Sequence, residues 1–233
     1  MSRADEPART VVAVFVKTPG RSALKTRLAE SLEVVDDVET AKSLYRDSLD
    51  CVREAIDASG LARTWAVAET DATGYELWAD APTLAQPAGD LGARMAGIYR
   101  ALKERFPAVV LVGGDLPQLS PGDLRDAAEW LETPDRHAIG PARDGGFWLY
   151  GSSAENPTAR WPGLPYSRRE TAQRFRSAID APAERWLELP TRTDLDDRGD
   201  LAGVADELER LEAPTASQRR LAERLRRLLD VHP

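Results

Sequence analysis

Val11–Val16 is an unbroken apolar, mostly β-branched run, and it passes directly into the charged, turn-forming segment Lys17-Thr18-Pro19-Gly20-Arg21. A strand covered on both faces reads this way, whereas a half-solvated strand alternates polar and apolar residues. Covering both faces takes helices on each side, so the run by itself predicts an α/β architecture.

The rest of the chain keeps to that plan. A helix is expected from about Ser22, followed by a long one from about Asp37 to Ala58. In the long one, Ala41, Leu44, Tyr45, Ser48, Cys51, Val52 and Ala55 recur at helical spacing. Ala62–Ala68 and Thr83–Gln86 read as strands, Gly89–Leu91 opens a helix to about Arg105, and Ala108–Val112 is the next buried strand. Ser120-Pro121 starts a helix in the cap-then-proline order. Ala138–Pro141 and Phe147–Gly151 read as short strands flanking the loop Arg143–Gly146. Ser167-Arg168-Arg169-Glu170 has the spacing of a capping box for a helix to about Ile179. A last strand near Trp186–Leu189 and two Arg-rich helices complete the chain. Such alternation predicts a mostly parallel sheet. With 233 residues the chain holds one sizeable core. The expectation is one domain over residues 11–233, with the helices of 200–230 packed on it and residues 1–10 as a frayed lead-in.

Charge narrows the partners. With 31 basic and 39 acidic residues the net charge is −8, which argues against a nucleic-acid partner. No apolar run is long enough to span a bilayer, and residues 1–10 do not form a signal peptide, so a cytoplasmic protein without a membrane partner is expected. Cys51 is the single thiol, in keeping with a reducing cytosol. His137 and His232 are the only histidines, which argues against a Ser-His-Asp or zinc–histidine mechanism.

In an open α/β sheet, ligands collect beyond the carboxyl ends of the strands. Two such ends carry chemistry here. After Val16 come Lys17, Arg21, Lys25 and Arg27, although only Lys17, Lys25, Lys42 and Lys103 occur as lysines in the chain. A glycine-containing loop entering a helix presents free N–H groups, and four cations beside it make an anion site for a phosphate chain. Thr18, Pro19 and Gly20 belong to the same loop. A solvated basic turn is the plainer alternative.

The second end is Gly113-Gly114-Asp115-Leu116-Pro117, which holds a carboxylate on a short rigid turn after a buried strand. Magnesium accepts one or two carboxylates with substrate phosphates completing its shell, and Asp115 suits that role, or a simple turn. Partner carboxylates are offered by Asp144, in the loop with Gly145 and Gly146, and by Asp194 and Asp196, which share a face if that segment is extended. Asp196 or Asp197 also suits a helix N-cap. Gly89, Asp90 and Arg94 sit at a helix start, where a cap plus a solvated arginine competes with phosphate or base contact.

Taken in order, several segments resemble the blocks of GT-A-fold nucleotide-diphospho-sugar transferases, in particular the rSAM/selenodomain-associated transferases. They are Val14–Lys17 through Pro19-Gly20 to Lys25-Thr26-Arg27-Leu28-Ala29, Gly89–Met95, Gly113–Pro117, Gly140–Phe147 and Leu164-Pro165-Tyr166-Ser167. The resemblance spans about residues 11 to 200. The Lys25–Leu28 segment is also similar to the phospholactate guanylyltransferases. This resemblance implies a three-layer α/β/α GT-A fold and a divalent magnesium or manganese ion held by Asp115 with Asp194 and Asp196. It implies that Lys17, Arg21, Lys25 and Arg27 bind phosphate, and that Asp144, Gly145, Gly146, Tyr166 and Ser167 line an acceptor side. Relatives often read Asp-x-Asp-Thr-Pro-x-Asp where this chain has Asp194-Leu195-Asp196-Asp197-Arg198-Gly199-Asp200, without the Thr-Pro pair.

The expected activity is a metal-dependent nucleotidyltransferase in which Lys25, Asp115 and Asp144 are catalytic. It would join a nucleoside triphosphate to a small phosphorylated or acidic acceptor and release pyrophosphate, as a monomer or homodimer. A glycosyltransferase using a nucleotide sugar, and a non-catalytic nucleotide-binding protein, are the alternatives.

Overall fold

The β-branched run beginning at Thr10 does form the central strand. The computed structural model describes residues 8–32, 37–166 and 168–231, and in it β1 is Thr10–Val16. Its side chains divide between two cores, as a strand's period of two requires. Val12, Val14 and Val16 face α2 (Asp37–Ser59) and α4 (Pro121–Trp130), packing with Leu49, Val52, Ile56 and Leu124. Val11 and Ala13 face α3 (Leu91–Lys103) on the other side, with Met95, Ile98 and Tyr99. The layering is therefore helix, sheet, helix.

The sheet has seven strands in the order β3-β2-β1-β4-β6-β5-β7, where β2 is Ala62–Val67, β3 Thr83–Ala85, β4 Ala108–Gly113, β5 His137–Pro141, β6 Phe147–Ser152 and β7 Trp186–Glu188. Of these, β6 alone runs antiparallel to its neighbours β4 and β5. The chain leaves β1 towards β2 and β3, then returns to place β4 on the opposite side of β1. That reversal opens a crevice between the carboxyl ends of β1 and β4, the usual place for a ligand in such a sheet.

A third apolar cluster joins α1 (Thr26–Leu32) and α2 to the C-terminal helices α6 (Asp200–Glu209) and α7 (Ala216–Val231), through Leu28, Leu44, Cys51, Val204, Leu208, Leu221 and Leu225. These helices do more than cover apolar surface. Gln218 of α7 is fully buried and donates to the carbonyls of Pro117 and Leu119, at 2.9 and 2.8 Å, bracing the turn that carries Asp115. No helix among the described residues is long and apolar enough to cross a membrane.

Two local expectations are corrected, both of them helix starts. The first helix starts at Thr26, not Ser22. The Ser22 hydroxyl is drawn to Glu69, and Lys25 adopts a left-handed φ of 48°, which a right-handed helix cannot continue through. The helix α5 (Thr171–Ile179) begins at Thr171, later than the expected box at residues 167–170, and the Thr171 hydroxyl accepts from the Arg168 amide. Ser167 lies outside the described residues, as do residues 1–7 and His232. The helix cap expected at Asp196 or Asp197 is Asp197, whose carboxylate accepts from the Gly199 amide at 2.8 Å at the start of α6. The Asp200 carboxylate reaches back to accept the Asp196 and Asp197 amides at 2.9 Å.

Candidate functional site

At the end of β1 the backbone turns away from the sheet, and Tyr45 of α2 fixes that turn. The Tyr45 hydroxyl bonds both the amide and the carbonyl of Lys17 at 3.1 Å. The loop then folds back over the crevice, and its left-handed Lys25 drops an ammonium onto the end of β4. Lys25 Nζ donates to Asp115 Oδ2 at 2.8 Å, to the Leu195 carbonyl at 2.7 Å and to Asp196 Oδ1 at 3.3 Å. Burial works against its charge, but Asp115 and Asp196 outweigh that penalty, so the Lys25 pKa is raised. The same ammonium holds the Asp115 carboxyl below the usual range. Arg27 adds a looser contact, 3.6 Å from Asp196, with a side chain 71% exposed.

Around this cluster lies a cavity of about 470 Å³, lined by Lys17, Lys25, Thr26, Arg27, Arg94, Asp115 and Asp196, with Gln86 and Tyr45 on its walls. A second cavity, of about 230 Å³, adjoins it and shares Phe15, Leu91 and Gly113. Asp144, Gly146, Trp148, Tyr166, Thr171 and Asp194 line this smaller lobe. The Asp144 carboxylate accepts from the Gly146 amide at 2.7 Å, which holds the loop in a tight turn. Burial, then the nearby charges of Asp144, Asp115 and Asp196, push the Asp194 carboxyl up to about 7.

The residues expected to bind phosphate divide into two groups. Lys17, Lys25, Arg27 and Arg94 line the larger lobe, whereas Thr18, Pro19, Gly20 and Arg21 do not. The Thr18 amide donates to Glu69 at 2.9 Å, and Arg21 pairs with Asp71, so that half of the loop is tied to the segment following β2. Gly89 and Asp90 form the start of α3: Asp90 accepts from the amides of Ala93 and Gly163, at 2.7 and 2.8 Å. Arg94 donates to the Gly89 carbonyl at 3.0 Å while facing the cavity. Gly114 packs closely: a Cβ there would lie 2.8 Å from Leu49 and from Val16. Tyr166 donates to the Trp161 carbonyl at 3.1 Å from the wall of the smaller lobe. Of the carboxylates expected to share a metal, Asp115 and Asp196 meet at Lys25, while Asp194 lines the smaller lobe. Among the described residues no group of three or more His, Cys, Asp or Glu side chains is placed to hold a metal ion.

Sequence reasoning passed over Gln86, Leu91 and Thr171. Gln86 directly follows β3 at the same sheet edge, and its side-chain amide donates to the Ala66 carbonyl at 2.8 Å. Its position after a strand was the one available signal. Leu91 is 45% exposed although apolar, and its role as the wall shared by both lobes follows only from the fold.

Comparison with known proteins agrees with this architecture. Residues 49–168 match the model of a family described as "Uncharacterized protein conserved in bacteria (DUF2064)", a stretch that includes Asp115 and Asp144. No curated protein matches the chain in sequence. A solved structure from Desulfovibrio desulfuricans G20, provisionally assigned as a nucleotide-diphospho-sugar transferase, is 25% identical with a TM-score of 0.76, covering 97% of this chain and 98% of its own. A cytidylyltransferase from Leptospira borgpetersenii superposes with a TM-score of 0.51 at 12% identity, covering 96% of each chain. A nucleotidyl transferase from Methanothermobacter thermautotrophicus superposes with a TM-score of 0.50 at 14% identity, covering 84% of this chain and 95% of its own. The three-layer fold with its mixed, mostly parallel sheet is thus that of the nucleotide-diphospho-sugar transferases, as expected.

Proposed function

We propose that this chain, which belongs to the DUF2064 family, is a metal-dependent nucleotidyltransferase that joins a nucleoside triphosphate to a small acceptor and releases pyrophosphate. The observation that carries the reading is the pairing of two unlike lobes at one sheet edge. Cations Lys17, Lys25, Arg27 and Arg94 line the larger, carboxylates Asp144 and Asp194 line the smaller, and Gly113 borders both. Fixed cations aimed at a phosphate chain stabilise the charge that develops on a leaving pyrophosphate. In the step proposed, an acceptor hydroxyl in the smaller lobe attacks the α-phosphorus. The new P–O bond forms as the bridging bond to the β-phosphate breaks, pyrophosphate leaves with the electron pair, and the hydroxyl proton passes to the Asp144 carboxylate.

The residues fit a hard divalent cation. Asp115 and Asp196 converge on one positive centre, the Lys25 ammonium, and Asp194 stands beside them under the repulsion of three other carboxylates. Magnesium or manganese needs only one or two carboxylates when phosphate oxygens complete its shell. Asp115 and Asp196, with Asp194 nearby, would hold it, and its chemistry would be charge neutralisation on the phosphates. The likeness to the rSAM/selenodomain-associated transferases and to phospholactate guanylyltransferases belongs to this reading.

A second reading has its own support. The Desulfovibrio structure's provisional assignment favours a nucleotide-sugar donor and transfer of the sugar. Thermal-shift measurements with the four NTPs and common NDP-sugars, each with and without Mn²⁺, separate the two. A ligand at about 100 times its Kd adds about 2.7 kcal/mol, or about 5–10 °C for a chain of this size. A metal-dependent shift largest for one NTP supports the nucleotidyltransferase. A larger shift for an NDP-sugar moves the assignment to a glycosyltransferase, and no shift for any of them rejects both.

A further inference from the structure

We propose that the acceptor held by the smaller lobe is an alcohol with an apolar, ring-sized body and no anionic group. This rests on the transferase reading of the site and goes beyond it by fixing the chemistry of the second substrate. The floor and walls of the lobe are Phe15, Met95, Leu111 and Trp148, and its lining among the described residues carries the carboxyl groups of Asp144 and Asp194 and no cation. Trp148 is fixed by its indole N–H, which donates to the Pro190 carbonyl at 3.0 Å, and its ring lies so close to Gly140 that a Cβ there would fall 2.2 Å away. A rigid aromatic wall of this kind suits a flat or ring-shaped apolar group.

Two cations beside the site are engaged elsewhere. Arg143, beside Asp144, donates to the Thr193 hydroxyl and to Glu207, at 2.9 and 3.3 Å. Lys25 is spent on Asp115, Asp196 and the Leu195 carbonyl in the larger lobe. A phosphorylated or carboxylated acceptor would therefore leave water to face the Asp144 carboxylate without a cationic side chain in the lobe's own lining, which is costly on both counts. The acidic acceptor expected from the sequence does not suit this lobe. A hydroxyl does, because it donates to a carboxylate, and an ammonium on the same body gains an ion pair. A polyhydroxylated sugar is disfavoured by the apolar walls, against which its remaining hydroxyls would stay unpaired.

The test uses three probes that share one phenylpropyl body: phenylpropanol, which is neutral, phenylalaninol, which carries an ammonium, and phenyllactate, which carries a carboxylate. Their binding to the full chain is read by ligand-detected NMR with saturating Mg²⁺ and the NTP that gives the largest thermal shift, that shift being recorded in the same samples. The expected result is binding of phenylpropanol and phenylalaninol, with phenyllactate weaker by about tenfold or more. In Asp144→Asn, whose amide oxygen still accepts from Gly146, the disadvantage of phenyllactate should shrink to about threefold or less. Phenyllactate binding as tightly as the alcohols, an unchanged gap in Asp144→Asn, or no binding by any probe overturns the inference while the nucleotide shift keeps the transferase reading standing. Loss of the nucleotide shift itself overturns both.

Discussion

Glu207 holds Thr193 by both of its polar groups: the hydroxyl donates to Oε1 at 2.7 Å and the amide to Oε2 at 3.0 Å. The same carboxylate accepts from Arg143 at 3.3 Å and from Gln118 at 3.0 Å. Thr193 precedes Asp194 and Arg143 precedes Asp144, so one side chain of α6 sets both carboxylates of the smaller lobe. Burial works against its charge, but the Thr193, Gln118 and Arg143 donors hold its pKa below the usual range. Glu207→Gln keeps the shape and turns one acceptor into a donor facing donors. Loss of a buried, charge-assisted bond costs about 1.5–3 kcal/mol, and urea unfolding should show a loss of that size. If Glu207 positions the acceptor walls, the variant's acceptor KM should also rise while its nucleotide KM stays put. Equal rises in both would reduce Glu207 to a purely stabilising group.

The Lys25 ammonium occupies the point on which Asp115 and Asp196 converge. In Lys25→Ala those carboxylates are left without their cation, so the affinity for a triphosphate should fall about 10–100-fold, the range for a charge-assisted bond, while free nucleoside binding changes little. Metal should partly substitute for the missing charge. Mg²⁺ is then expected to raise the melting temperature of Lys25→Ala more than that of the parent protein. An equal response to Mg²⁺ in the two proteins would remove Asp115 and Asp196 from the metal assignment.

How much of this was legible in the sequence depends on how local each signal is. The strand Val11–Val16 announces itself because six adjacent apolar residues have no other stable use. Asp90 and Ser120 cap their helices as expected, since caps are decided within one turn of chain. The loop of residues 17–25 is different. Its Thr18, Arg21 and Ser22 are claimed by Glu69 and Asp71, about fifty residues away, and nothing within the loop foretells that. Thus a run of basic residues that looks like one phosphate cradle is split, half lining the cavity and half closing against the neighbouring segment. Glu207 and Gln218 were invisible for the same reason: on an amphipathic helix a buried polar residue reads as an interruption, and only its distant partners reveal its use.

His137 offers a pH test of the fold. It is 2% exposed, stacked on Trp186 with Nδ1 2.9 Å from the Tyr150 hydroxyl, and burial lowers its pKa from 6.5 to about 4. The unfolded chain therefore binds a proton that the folded chain refuses between pH 6.5 and 4. Its contribution is fully present above the unfolded value and is lost as pH falls through that window, reaching about 3 kcal/mol at the acid end. Urea unfolding at pH 7 and pH 4.5 should show this loss in the parent and a clearly smaller one in His137→Gln. The same pH slope in both proteins would assign the acid sensitivity to the carboxylates.

Gly145 is where the smaller lobe is most vulnerable to a single methyl group. Its φ is 92°, and a Cβ would fall 2.1 Å from the Arg169 carbonyl oxygen, a contact with backbone that no rotamer change relieves. The Gly145 carbonyl also accepts from the Ala172 amide at 3.0 Å, so the loop and the start of α5 are locked together there. Gly145→Ala must force them apart in addition to a left-handed backbone cost of about 1–2 kcal/mol. Asp144 and Thr171 would move with the two segments, so acceptor binding should be lost first. Nucleotide binding, at Lys17, Lys25 and Arg27 across the crevice, should persist. Gly74→Ala is the control: a Cβ there meets nothing within 4 Å, and it lies outside both lobes. Thermal shifts with nucleotide, set beside acceptor titrations of both variants, separate the cases. If Gly145→Ala weakens nucleotide and acceptor alike, the two lobes form one mechanical unit and are not independently built.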